Sequence, residues 1–178
     1  IEDTGIGISA KNMESIFEPF VQFSSNTSKK GAGLGLTLSK RFVEKIGGVI
    51  TPDKILGMPE EDIRNCGMAW AKVRALKDLA IKTKSGELQV KKLDQLSDSE
   101  VKRELVQVKG IGPWTADMFL MFKLGRPDIF PEEDLGIKKG FERVVGKKWD
   151  KINSIKYAEK HWKPWRTVAS WYLWRSLD

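Results

Sequence analysis

The sequence holds one cysteine, Cys66, and one histidine, His161, in 178 residues. A single thiol excludes intrachain disulfides, thiolate zinc sites and cysteine-ligated iron–sulfur clusters, so redox and cluster chemistry are set aside. Long hydrophobic runs are missing too. The longest apolar stretches, such as Met118 to Phe122, fall far short of the roughly 20 residues a membrane span requires, and no signal-peptide pattern opens the chain. The expectation is a soluble cytoplasmic protein with no membrane partner. Apolar residues at 40% and charged residues at 31% are the balance of a chain that buries a core, which rules out disorder as the whole answer. The length allows one domain or two small ones.

What is present is unevenly placed. Residues 1–50 carry six basic side chains (Lys11, Lys29, Lys30, Lys40, Arg41, Lys45) and five acidic ones (Glu2, Asp3, Glu14, Glu18, Glu44), a net of +1. The chain total is +7, so the other +6 lies in residues 51–178, together with all seven tryptophans, from Trp70 to Trp174. A basic and aromatic excess in one segment suits nucleic acid, although ordinary solvated lysines give the same arithmetic. Charge needs a motif beside it.

The first fifty residues contain Asp3-Thr4-Gly5-Ile6-Gly7-Ile8, then Ile16-Phe17-Glu18-Pro19-Phe20, then Gly31-Ala32-Gly33-Leu34-Gly35-Leu36. Glycines let a backbone approach phosphate, a carboxylate such as Asp3 accepts from an adenine amino group, and a helix opening near Gly35 offers free N–H groups. In order and spacing these blocks resemble the C-terminal part of the ATP-binding domain of sensor histidine kinases, over residues 1–48. The resemblance implies a fragment of an α/β ATPase fold, with Asp3, Gly5, Gly7, Gly33 and Gly35 as nucleotide-contacting positions. That family's Mg²⁺-binding asparagine block and phosphoacceptor histidine lie upstream of the matching blocks, so nucleotide binding by this fragment is a minor expectation.

From Thr51 the grammar becomes helical. Thr51-Pro52-Asp53 is a helix start, with a capping hydroxyl, proline in the first turn and an early acid. Pro59-Glu60-Glu61-Asp62 opens a second helix, and Ala69 to Thr83 carries Val73, Leu76, Leu79 and Ala80 at three- and four-residue steps. Ser97-Asp98-Ser99-Glu100 starts another. After the turn Lys109-Gly110-Ile111-Gly112-Pro113, residues Trp114 to Leu124 read as a buried helix ended near Gly125. No alternating strand run interrupts this segment, which is expected to be all-α.

Two glycines flanking one apolar residue between helices let a turn press its backbone against a partner, and phosphate is the natural one. A tight turn that binds nothing has the same pattern. The surroundings favour the former. Val108 to Asp117 (Val-Lys-Gly-Ile-Gly-Pro-Trp-Thr-Ala-Asp), then Leu124 to Pro131 (Leu-Gly-Arg-Pro-Asp-Ile-Phe-Pro), then Asp134 to Gly140 (Asp-Leu-Gly-Ile-Lys-Lys-Gly) resemble the helix-hairpin-helix DNA glycosylases, and within them the 3-methyladenine DNA glycosylase II branch. The run Trp162 to Arg175 is similar to that branch's final helix.

The resemblance spans residues 51–178 and implies, over residues 49–178, a mainly α, helix-hairpin-helix glycosylase-type domain that hydrolyses the N-glycosidic bond of alkylated purines in double-stranded DNA. It implies no cofactor and no metal, and a monomer. The position matching the family's aspartate is Asp134, twenty residues after Trp114. One carboxylate suffices because departure of the base leaves positive charge on the sugar, which an anion stabilises or relieves by orienting water. Glu132 and Glu133 are rival carboxylates, and a solvated acidic turn is the plain alternative for all three. Relatives that also cut the strand place a lysine where Trp114 stands, for a Schiff base; the reading here is therefore monofunctional, with Lys109 offset from that slot.

Gly110, Ile111, Gly112 and Thr115 match the DNA-backbone contacts, and Trp114 and Trp174 match pocket aromatics that receive a flipped base. A further pocket aromatic of some members falls at Met118. Trp162, Trp165 and Trp171 are expected to pack between helices, and His161 to be exposed without chemistry.

Relatives carry, before the segment matching Thr51, a helical part of the fold with a wedge that fills the gap left by the flipped base. Here the kinase-like piece stands in its place, and its last helix shows Leu38, Phe42, Val43 and Ile46 before the stop Gly47-Gly48. That helix is expected to substitute for the missing one across a fusion junction. A DNA-binding remnant without excision, and a nucleotide-binding signalling fragment, stay open as alternatives.

Overall fold

The computed structural model describes residues 35–177 and Ser15, with side chains from Ser39 onward in the continuous part. Asp3, Gly5, Gly7 and Gly33, and with them the expected ATPase fragment, lie outside the described residues; Gly35 is the first residue of the first helix. Every regular element among the described residues is helical. The chain divides into two compact units, residues 1–81 and 82–178.

In the first unit run α1 (Gly35–Lys45), α2 (Pro52–Gly57), α3 (Glu60–Asn65) and α4 (Trp70–Ser85), the last continuing beyond the division. The starts follow local chemistry. Thr51 caps α2 by accepting from Lys54 N–H at 3.3 Å, and Pro52, which has no backbone N–H, stands where none is needed. Helix α1 stops at Gly47 and Gly48, both at positive φ, where Gly48 N–H returns to Val43 O at 2.9 Å. The C-terminal carbonyls of α2 have a side-chain partner: Lys77 Nζ from α4 donates to the oxygens of Ile55, Leu56 and Met58.

The core of this unit is Phe42, Ile46, Ile55, Ile63, Val73 and Ala80, with Cys66 beside them. Phe42 and Ile46 of α1 thus share one core with residues from α2, α3 and α4, since an apolar face at three- to four-residue spacing is all that a helix must supply to such a core.

The second unit contains a 3-10 helix (Val90–Gln95), α5 (Asp98–Val106), α6 (Pro113–Met118) continued by a π-helical turn (Phe119–Lys123), α7 (Leu135–Val145), α8 (Lys151–Trp162) and α9 (Arg166–Arg175). Ser97 and Glu100 form a reciprocal capping box on α5. Phe130, Ile137, Phe141, Ala158 and Leu173 make the core. Around Phe141, Trp149 and Tyr157 pack edge-on at 5.5 and 5.6 Å, a preferred arrangement of aromatic quadrupoles.

Two expectations need correction. Residues Trp114 to Leu124 are helical, but the path widens into a π turn and is not buried throughout: Leu120 and Met121 face the core while Trp114 and Phe122 are 46% and 51% exposed. Trp162 does pack between helices, whereas Trp165, the N-cap of α9, and Trp171 within it are exposed. A ten-residue helix that buries Thr167, Ser170 and Leu173 on one face must turn residues one position away outward.

Helices α7 and α9 lie close together at Gly140. A Cβ built there would lie 2.4 Å from the Leu173 carbonyl oxygen, a backbone atom that cannot swing aside. Gly140→Ala is thus expected to destabilise the protein by about 2 kcal/mol despite alanine's better helix propensity, measured by urea unfolding. In the same assay Phe42→Ala is expected to cost about 3 kcal/mol, and an unchanged midpoint would show that α1 is not part of the core.

Candidate active site

The hairpin forms because α5 ends at Val106 and the chain must reverse within six residues to begin α6. Ile111 N–H closes the turn on Val108 O at 3.0 Å. Gly110 takes φ +80°, a value that side chains disfavour. Gly112 is the N-cap of α6 and offers no side chain to its N–H groups, while Pro113 occupies the first turn. Thr115 is half-buried in that turn, and Met118 follows Trp114 by four residues, on the same face of α6.

The two helices of the hairpin are tied internally. Asp117 on α6 is 2% exposed and meets Lys102 of α5 as an ion pair, although its Oδ1 finds no hydrogen bond of good geometry. Burial pushes the Asp117 carboxyl up, Lys102 draws it down, and nearby Glu132 adds to the rise. Burial dominates, as expected for a carboxylate with one imperfect partner.

Asp134 is the N-cap of α7. Its Oδ1 accepts from Ile137 N–H at 2.8 Å, which stabilises the helix start, and also from Trp174 Nε1–H at 2.8 Å. Its Oδ2 accepts from Trp114 Nε1–H at 2.8 Å. Partial burial raises the carboxyl pKa, but the Trp174 indole, the Ile137 N–H, the Trp114 indole and the Gly136 N–H outweigh it and hold the group below the ordinary carboxylate range. The result is an ionised carboxylate between two indoles, one on the hairpin's second helix and one near the end of α9.

The neighbouring carboxylates are differently engaged. Lys151 of α8 lies 2.9 Å from both Glu132 and Glu133, lowering the Glu133 pKa and raising its own. Among the described residues, neither accepts a hydrogen bond from an indole. The loop that delivers Asp134 is pinned upstream, where Arg126 donates to Asp94 O and Leu96 O at 2.9 and 2.8 Å. Arg166 then grips Asp128 through Nε at 2.7 Å and Nη2 at 2.9 Å, and Thr167 Oγ1 donates to Arg126 O while accepting from Ile129 N–H. The Arg166 guanidinium holds the Asp128 carboxyl well below its usual range. Such bidentate pairing fixes geometry as well as charge, so the Leu124 to Pro131 block works as a clamp on α9.

The fold thus gathers Asp134, Trp114 and Trp174 by direct hydrogen bonds, and places Gly110, Ile111, Gly112 and Thr115 beside Trp114 at the start of α6. Two contributors escaped the sequence reading. Gly136 is required where it stands, since a Cβ there would lie 2.7 Å from Trp174 Cδ1; its spacing of four from Gly140 was the available signal for a close helix contact. Phe122 stacks along Trp174, and nothing in the apolar run Met118 to Phe122 distinguished it.

The sequence profile of the histidine kinase-, DNA gyrase B- and HSP90-like ATPases matches residues 1–67. Over 140 residues the chain is 39% identical to DNA-3-methyladenine glycosylase 1 of Schizosaccharomyces pombe, covering 76% of this chain and 60% of that protein's length. Among solved structures, the DNA-3-methyladenine glycosidase of Bacillus halodurans superimposes with a TM-score of 0.72 at 30% identity, over 93% of this chain and 73% of that one. The 3-methyladenine DNA glycosylase of Schizosaccharomyces pombe, solved with abasic DNA, gives 0.70 at 29% identity, over 97% and 92%. With its helix-hairpin-helix and its capped aspartate between two indoles, the chain belongs to the DNA-3-methyladenine glycosylase family.

Proposed function

We propose that this chain is a base-excision repair glycosylase that hydrolyses the N-glycosidic bond of alkylated purines such as 3-methyladenine in duplex DNA, without strand-cutting lyase activity. The observation that carries the reading is the convergence of Trp114 and Trp174 N–H groups on the two oxygens of Asp134. An extruded base needs aromatic faces to replace its lost stacking, and the sugar it leaves needs a fixed negative charge within reach. Both requirements meet in these three side chains, with Met118 on the Trp114 face.

Asp134 acts through its charge. A carboxylate that already accepts from several donors is a weak base, suited to stabilising positive charge on the deoxyribose more than to stripping a proton from water. An alkylated purine carries positive charge before it leaves and asks for little acid assistance. Gly110, Ile111, Gly112 and Thr115 hold the phosphate chain without reading sequence, which makes binding salt-dependent. Trp114 occupies the slot of the Schiff-base lysine, which supports hydrolysis with water as the only nucleophile.

Residues 49–178 form the glycosylase domain in this reading, and residues 1–48 are a histidine-kinase-like fragment whose contribution is α1 in the helical core. A protein that holds DNA through the hairpin yet excises nothing is the competing reading, and the same assay decides between them.

On methylated duplex DNA the chain is expected to release free 3-methyladenine, and Asp134→Asn to slow that release by about 100-fold or more, read by chromatography of the liberated base. Borohydride should trap no protein–DNA adduct. Equal release by the two proteins, or DNA binding with no release by either, removes the proposal.

The acid limb of the pH profile offers a second check. The Trp174 N–H favours the ionised form of Asp134, so its removal in Trp174→Phe raises the carboxyl pKa, and activity is lost at higher pH on acidification than in the parent. The sign for stability agrees: the depressed pKa stabilises the fold above the unfolded carboxylate value of about 3.9, and that contribution fades as pH falls through the folded value.

A further inference from the structure

The turn after α6 widens where an α-helix would have continued. Leu124 N–H reaches back five residues to Phe119 O at 3.1 Å, closing the π turn Phe119–Lys123. One extra residue in a turn rotates everything beyond it by about 100° relative to an uninterrupted α-helix. Leu120 and Met121 keep their places in the core, and Phe122 emerges half-exposed.

That ring is not merely stranded in solvent. It lies along Trp174 with centroids 6.2 Å apart and planes at 22°, and leans on Trp171 at 5.9 Å and 45°. The edge of the same indole meets the first turn of α7, where a Cβ on Gly136 would lie 2.7 Å from Cδ1 and 3.0 Å from Nε1. Trp174 is therefore bounded by an aromatic face from one element and by backbone from another. In that slot its Nε1–H points at Asp134 Oδ1, 2.8 Å away. Remove the flat neighbour and the indole keeps its core packing and the Gly136 edge but loses the face that fixes its plane, so the N–H spends less of its time on the carboxylate.

We propose that Phe122 is a positioning residue for base release, fixing the indole plane of Trp174 so that its N–H stays on Asp134. It acts through Trp174, and the proposal rests on the reading of Asp134 as the charge that stabilises the departing base's sugar. The π turn gives Phe122 its reach.

The test uses the full chain with Phe122→Ala and Phe122→Tyr, the second retaining the ring. In nitrogen-15 tryptophan-labelled protein, the Trp174 indole resonance, assigned with Trp174→Phe, is expected to exchange with water about tenfold faster in Phe122→Ala and at the parental rate in Phe122→Tyr. On methylated duplex DNA, kcat for base release should fall about tenfold in Phe122→Ala with KM little changed, and recover in Phe122→Tyr. Should Phe122→Ala fail to fold, Phe122→Leu keeps the apolar volume without the flat ring and carries the same expectations.

Parental indole exchange in a folded Phe122→Ala or Phe122→Leu protein would overturn the proposal. So would a rise in KM alone, which would make Phe122 a contact for DNA and not a brace for Trp174. If even the parent releases no base, the excision reading fails, while the exchange measurement still decides whether Phe122 holds the indole.

Discussion

Asp134 collects its hydrogen bonds from three directions: the first turn of its own helix through Ile137, the second helix of the hairpin through Trp114, and the end of α9 through Trp174. A carboxylate has two oxygens and a strong demand for donors once removed from water, so these partners must arrive together with the group they serve. The demand propagates outward. Trp174 can arrive only because α9 lies close against α7, and α9 lies close only because Gly136 and Gly140 leave room for an indole edge and a backbone carbonyl. At its other end α9 is fixed by Arg166 on Asp128 and by Thr167 between Arg126 and Ile129.

Electrostatics separates Asp134 from its neighbours within one loop. Glu132 and Glu133 share an exposed ammonium, Lys151, a contact screened by solvent and worth little to stability. Asp134 accepts from neutral N–H dipoles, with no salt-bridge cation among the described residues. Dipoles stabilise the negative charge without neutralising it, so its field remains available to a developing cation. Asp117 follows the opposite logic. Buried and poorly hydrogen-bonded, it is held beside Lys102, where the pair links α5 to α6.

Helix α1 is joined to the helices that follow it by ordinary packing. Phe42 and Ile46 share a core with Ile55, Ile63, Val73 and Ala80. A helical core tests neighbours for apolar volume and spacing, and it accepts a face that meets those terms whatever family the helix resembles. Gly47 and Gly48 then release the chain into the Thr51 cap, so α1 ends and α2 begins with their backbone ends satisfied.

Much of the helical layout was legible because its signals are local. The Thr51 cap, the Ser97–Glu100 box, the Gly47-Gly48 stop and the hairpin glycines each operate within a few residues, and each lies where the side-chain chemistry places it. The sequence also singled out Asp134 through its resemblance, with Glu132 and Glu133 as rivals in the same loop. Which of them meets the indoles, that Trp165 and Trp171 face solvent, and that a π turn brings Phe122 onto Trp174 were decided only by the tertiary structure. The physical reason is distance along the chain: caps and turns close over three or four residues, whereas the bonds from Trp114 and Trp174 to Asp134 span 20 and 40, and contacts of that length depend on how whole helices pack.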